Sequence, residues 1–173
     1  MNRGVLVIGV ILLLGVAAGG TAVWYHHTQQ HRSLDFWGIE AATTIRHPKS
    51  VAVLRLQAMT ESSVSDDVLQ IENSNLLVLG SIDISDHAGL LHARHALIED
   101  ASFDWSRGTS NQHPKWECGL RFKQGESDVN IVLDFVHAEL YFVERQRRAP
   151  FNAKILRALQ RFTIDVLHED GES

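Results

Sequence analysis

Polarity along the chain changes character once, near its start. Residues 5–23 (VLVIGVILLLGVAAGGTAV) run for nineteen positions without a charge. At 1.5 Å rise per residue, about 20 apolar residues span the ~30 Å hydrocarbon core of a bilayer. Residues 1–25 therefore read as a transmembrane anchor with the lipid bilayer as partner of residues 5–23. Trp24 and Tyr25 follow at once, and aromatic rings favour the headgroup level. Residues 26–33 are polar and read as a linker. The same residues also fit a cleaved signal peptide, with Arg3, a shorter apolar stretch and the small-residue cluster at 17–22. A buried core helix is a third reading, opposed by apolarity on every side. Arg3 and the terminal amine favour an inside N-terminus, which puts residues 34–173 on the extracytoplasmic side of a single-pass membrane protein.

Beyond the linker the pattern alternates between helical and strand periods. Residues 34–47 carry Phe36, Ile39 and Ile45 at helical spacing, and Pro48 closes the segment. Residues 50–58 (SVAVLRLQA) and 76–84 (LLVLGSIDI) read as strands, whereas 68–71 is ambiguous. A helix starts at Ser85 or Asp86 and runs to about Asp100, with Leu90, Leu91, Leu97 and Ile98 on one side. Residues 103–114 form a loop. Residues 115–123 and 128–136 make a hairpin around Gln124-Gly125-Glu126-Ser127. Residues 138–143 form a further strand, and 144–150 (ERQRRAP) a basic turn. Residues 151–168 place Phe151, Ile155, Leu159, Phe162 and Val166 on one stripe of a last helix. Short connections between strands imply antiparallel pairing. The expectation is an α+β, two-layer domain over 34–173 with helices on one sheet face.

Composition narrows the function classes. The chain has 173 residues and a net charge of −5, so one domain is expected and a strongly basic nucleic-acid binder is not. One cysteine, Cys118, excludes an intrachain disulfide and any CxxC knuckle. No GxSxG, P-loop or GxGxxG is present.

Residues 76–162 resemble an uncharacterised bacterial family of small exported or membrane-anchored α+β proteins. Leu79-Gly80, Cys118-Gly119-Leu120-Arg121-Phe122, Gly125, residues 129–135 and the closing helix from Phe151 to Phe162 carry the likeness. Family members often have Cys-Phe-x-Cys at the end of the second hairpin strand and another cysteine before the first. The matching positions here are Asp134-Phe135-Val136-His137, with His113 upstream. The resemblance supplies no activity, and it implies that any metal or redox chemistry of those cysteines is altered or absent.

Four constellations are candidates for chemistry. His113, Asp134 and His137 combine imidazole and carboxylate, which suits zinc or another first-row ion. Against this, a regular strand puts Asp134 and His137 on opposite faces, with Asp134 in solvent beside Asn130. His92, His95 and Glu99 share one helix face by their +3 and +4 spacings, and that face is most simply the solvent side. Cys118 shares a strand side with Trp116, Leu120 and Phe122 and reads as a small buried hydrophobe. Arg145, Arg147, Arg148, Lys154, Arg157 and Arg161 give residues 144–161 a net charge of +5 against Glu144, while residues 33–143 carry 16 acidic and eight basic groups. Those six form a candidate surface for anions or an acidic partner, or else a solvated face in which Arg161 pairs with Asp165. No cofactor is expected. The resulting expectation is a membrane-anchored binding or accessory module with a possible protein partner. A metal-dependent hydrolase using the His/Asp cluster is the alternative.

Overall fold

The computed structural model describes residues 4, 11–21, 32–59, 67–72, 74–116 and 118–169. The domain is α+β, as the alternation of periods predicts. Helices α1 (Arg32–Trp37) and α2 (Ile39–Arg46) lead into β1 (Ser50–Ala58), β2 (Val68–Ile71) and β3 (Ser74–Asp83). Helix α3 (Leu90–Ile98) follows, with a short 3-10 turn at Asp100–Ser102. Strands β4 (Cys118–Gln124), β5 (Ser127–Asp134), β6 (Glu139–Phe142) and β7 (Arg147–Pro150) then precede α4 (Ala153–Glu169). All strand pairings are antiparallel, in the order β2-β3-β1-β4-β5-β6-β7.

Several boundaries depart from the sequence expectation for local reasons. The expected helix over 34–47 is two helices, because Gly38 adopts φ 77 ψ 161 between them. Leu34 and Gly38 still join through a backbone hydrogen bond of 2.7 Å, so the break is a sharp corner. The helix expected from Ser85 or Asp86 begins at Leu90, after Gly89 at φ 93. Ser85 instead bonds the Asp83 carboxylate and accepts from the Val51 amide, tying the end of β3 to β1. Leu91, expected on the buried side, is 53% exposed, and Ala93 takes its place. The basic turn proves to contain a strand, since Arg147–Pro150 pairs with β6. The hairpin at Gln124–Ser127 is as expected, with Gly125 at the left-handed φ of 61 that a two-residue turn needs.

Strand alternation divides the sheet into two cores. Val51, Val53, Leu120, Phe122, Ile131, Leu133, Leu140 and Phe142 face the helical layer, where Phe36, Trp37, Ile45, Leu97, Phe151 and Leu159 cover them. Trp37 is fully buried, and its Nε1 donates to the Leu97 carbonyl at 3.0 Å. The expectation of helices on one sheet face assigns nothing to the opposite face. It carries a second core of Leu54, Leu56, Leu69, Ile71, Leu76, Val78, Val132 and Tyr141, flanked by Trp116. Such a core exists because the sheet curls on itself, aided by an irregularity between Arg55 and Leu56 in the β1–β3 register.

Gln146 fastens the curl. Its Oε1 accepts from the Glu72 amide and the Tyr141 hydroxyl, while its Nε2 donates to the Gln70 carbonyl. The β2–β3 hairpin at one edge is thereby tied to the β6–β7 turn near the other. Gln146 holds φ 51, a left-handed conformation that a side chain making three tertiary bonds over-determines.

Residues 11–21 are helical and all exposed, with Leu14 at 62% and Val16 at 72%. They are therefore not a core helix of the domain. No helix among the described residues is long and apolar enough to cross a membrane. Residues 5–10 and 22–31 of the expected anchor and linker, Trp24 and Tyr25 included, lie outside the described residues.

Candidate functional site

Asp134 and His137 come together, contrary to the regular-strand expectation, because β5 ends at Asp134 and residues 135–138 turn back into β6. Asp134 does not point to solvent; it is completely buried. Its Oδ1 accepts from the amides of Val136 at 2.9 Å and His137 at 3.0 Å. Its Oδ2 meets the Lys115 amide at 2.8 Å and the His137 Nδ1 at 2.7 Å. Burial pushes this carboxyl up, but the hydrogen bonds from His137 and Lys115 outweigh it and hold Asp134 below the usual carboxylate range.

His137 is equally engaged. Its Nε2 lies 2.9 Å from the Gln112 Oε1. An imidazolium satisfies both oxygens. A neutral ring donates from Nδ1 to Asp134 and accepts at Nε2 once the Gln112 amide turns its NH2 toward it.

The arrangement locks a loop. Glu139, directly opposite Asp134 across β5 and β6, is 1% exposed and accepts from the Ser110 amide. Arg148 approaches the other Glu139 oxygen at 3.5 Å and donates to the Ser110 carbonyl at 2.8 Å. Arg107 donates to the carbonyls of His137 and Ala138. Two buried carboxylates and two arginines thus bind residues 107–115 to the β5–β6 turn. Ala138 keeps a left-handed φ of 52 inside that clamp.

The third member of the expected metal trio is elsewhere. His113 is exposed and lines a separate hollow of about 520 Å³ with Lys115, Trp116, Glu72 and Ser74. Among the described residues no group of three or more His, Cys, Asp or Glu is placed to hold a metal ion. His92 and His95 on α3 and Glu99 just beyond its end are all exposed, and His92 also borders the cleft between α3 and α4. Cys118 is buried in β4 beside Leu120 and Phe122, whereas Trp116 packs in the other core against Tyr141.

The six basic residues divide into two sets. Arg147 sits over the Phe36 ring at 5.4 Å and donates to the carbonyls of Asp35 and Phe36. Arg148 belongs to the loop clamp, and the Arg145 guanidinium packs on the Gly38 backbone. These three hold the helical layer and the loop to the sheet. Lys154, Arg157 and Arg161 are exposed on α4, and the pairing of Arg161 with Asp165 allowed by their spacing is absent among the described ion pairs.

Sequence reasoning missed two features. Arg121 makes a fork to Asp67 with bonds of 2.7 and 2.9 Å and also donates to Asn130. The Arg121 fork holds the Asp67 carboxyl low, and the same pairing pushes Arg121 up. Asn130 in turn bonds Glu144, whose carboxyl burial pushes up. The partners are 54 positions apart, so no local spacing signalled them. The second feature is a cleft of about 340 Å³ between α3 and α4, lined by Gly89, His92, Ala93, Ala96, Ile155, Ala158, Leu159 and Phe162. It is walled almost wholly by carbon. The +4 and +3 spacing of Gly89, Ala93 and Ala96 was its sequence signal, hidden because small residues were not read as a face.

No protein-family model, curated protein or solved structure matches the chain.

Proposed function

We propose that the chain is a membrane-tethered binding or accessory domain, with residues 5–23 in the bilayer and residues 34–173 outside the cytoplasm. The observation that carries this is the exposure of the apolar helix at 11–21. Ile11, Leu12, Leu13, Leu14 and Val16 stand clear of both cores, each more than half exposed. Five such side chains in water are costly at ~25 cal/mol per Å² of apolar surface, and lipid removes the cost. A binding role is favoured over catalysis because the Asp134–His137 pair is engaged on every side by internal hydrogen bonds.

Alkaline carbonate washing of membranes tests the tether. Retention of the full-length chain in the pellet is expected. Release of a shortened chain starting near residue 20–25 would instead identify a cleaved signal. Protease added to intact spheroplasts should degrade the domain if it lies outside the cytoplasm, and full protection would reverse the orientation.

A further inference from the structure

We propose that the outward face of α4 lies on the anionic headgroups of the bilayer that holds the N-terminal anchor, through Lys154, Arg157 and Arg161. This deepens the binding-module reading and rests on its tether. Leu156, Leu159 and Val166 turn the apolar side of α4 into the helical core. At 100° per residue Lys154, Arg157 and Arg161 fall within about 60° of one another, on the side opposite Leu156 and Leu159. All three are exposed, and Ile164, 42% exposed, lies beside Arg157 on the same side. Asp165 is the acid there, so three cations stand against one carboxylate. Spacings of +3 and +4 stack like charges along a helix, which costs stability unless counter-charge comes from outside. None of the three has a carboxylate partner among the described ion pairs. Arg145, Arg147 and Arg148, by contrast, are engaged in holding the helices and the loop to the sheet.

The point where the chain enters the domain favours lipid as the occupant. The Ser33 amide donates to the Asp100 carboxylate at 2.8 Å. The Asn152 amide, just ahead of α4, donates to the Ser102 carbonyl at 2.7 Å. The turn at Asp100–Ser102 therefore holds the first residues of the domain and the start of α4 to each other. Ser33 follows Tyr25 by eight positions, which at ~3.3–3.6 Å each reach no more than about 30 Å. Helix α4 has 17 residues and is about 25 Å long at 1.5 Å rise, so its cations stand within that reach of the headgroups. Arg32 and Leu34, both exposed, adjoin the same end of the domain. Each cation near an anionic surface favours contact about fivefold, and an exposed isoleucine among cations suits the boundary between headgroups and acyl chains. A tether also keeps the bilayer at high effective concentration, which a separate partner lacks.

The test uses the full chain in nanodiscs of phosphatidylcholine, with or without phosphatidylglycerol, each carrying a lipid with a paramagnetic headgroup. With phosphatidylglycerol, the amide signals of α4 from Lys154 to Ile164 should broaden several-fold more than in phosphatidylcholine alone. Those of β2, whose core lies on the other sheet face, should stay sharp. High salt should remove the difference between the discs. Lys154→Gln, Arg157→Gln and Arg161→Gln together, all at exposed positions, should lower the docked-to-undocked ratio about tenfold or more, whereas Arg157→Lys with Arg161→Lys should keep it. Equal broadening in the two discs, or docking that survives loss of the three cations, would overturn the proposal and leave the tether intact. Sharp α4 signals in anionic discs would overturn it too, and would leave the face to an acidic protein partner. A chain that enters neither disc would overturn the tether, and with it the argument for this placement.

Discussion

Replacing Asp134 by Asn removes one charge from the middle of the loop clamp and almost no volume. The carboxylate accepts four hydrogen bonds, two at each oxygen. An amide keeps one acceptor oxygen and turns an NH2 toward two donors, so two of the four bonds are lost. Hydrogen bonds to charged groups contribute about 1.5–3 kcal/mol each, and the orphaned donors are buried. The expected cost is therefore about 3 kcal/mol or more, a large part of a typical 5–15 kcal/mol stability. Urea unfolding of the full chain in non-ionic micelles, followed by tryptophan fluorescence, measures it. The pH dependence supplies a second handle. Asp134 is held below its ordinary 3.8 in the folded state. Its contribution is thus fully present above that ordinary value and is lost as pH falls through the lowered folded value. The gap between the parent and Asp134→Asn should be widest near neutrality and should narrow below about pH 4. A gap under about 1 kcal/mol at pH 7, or one that stays constant to pH 3, would refute the clamp as the stabilising element.

Other substitutions separate the remaining parts of the fold. Gln146→Ala should cost about 1–2 kcal/mol and raise amide exchange in β2 and β3 specifically, because it unties the curl; uniform exchange across the sheet would contradict that role. Trp37→Phe keeps the ring packing and strands the buried Leu97 carbonyl, with an expected loss of about 1–3 kcal/mol in chemical unfolding. Leu97→Ala, in the fully buried centre of the helical layer, should lose about 2–5 kcal/mol in the same assay. Arg121→Ala should let the Asp67 carboxyl rise toward its ordinary value, read by carboxyl NMR, since the fork is the largest cause of its lowering; an unchanged Asp67 would show the fork to be incidental.

Much of the fold was legible because periodicity reports which face is buried. The strands over 50–58 and 76–84, the 124–127 hairpin and the stripe of the last helix all follow from spacing alone. The resolution of that signal is the length of an element. It did not reveal Arg147–Pro150 as a strand, since three of its neighbours are charged or amide side chains and its hydrogen-bond partner lies in β6. The site was less legible. Asp134 and His137 were named with His113 as a metal trio that a regular strand would have split, and they meet because β5 stops at Asp134. The same spacing in a continued strand would have separated them.

By itself the sequence determined the α+β class, the single apolar run near the start and the burial of Cys118, because each depends on neighbours within a few residues. Only the tertiary structure decided that the sheet curls into a second core, that half of the basic cluster serves internal packing, and that α3 and α4 leave an apolar slot between them. Those outcomes join residues tens of positions apart, and contact at that range is set by packing geometry that local pattern does not encode.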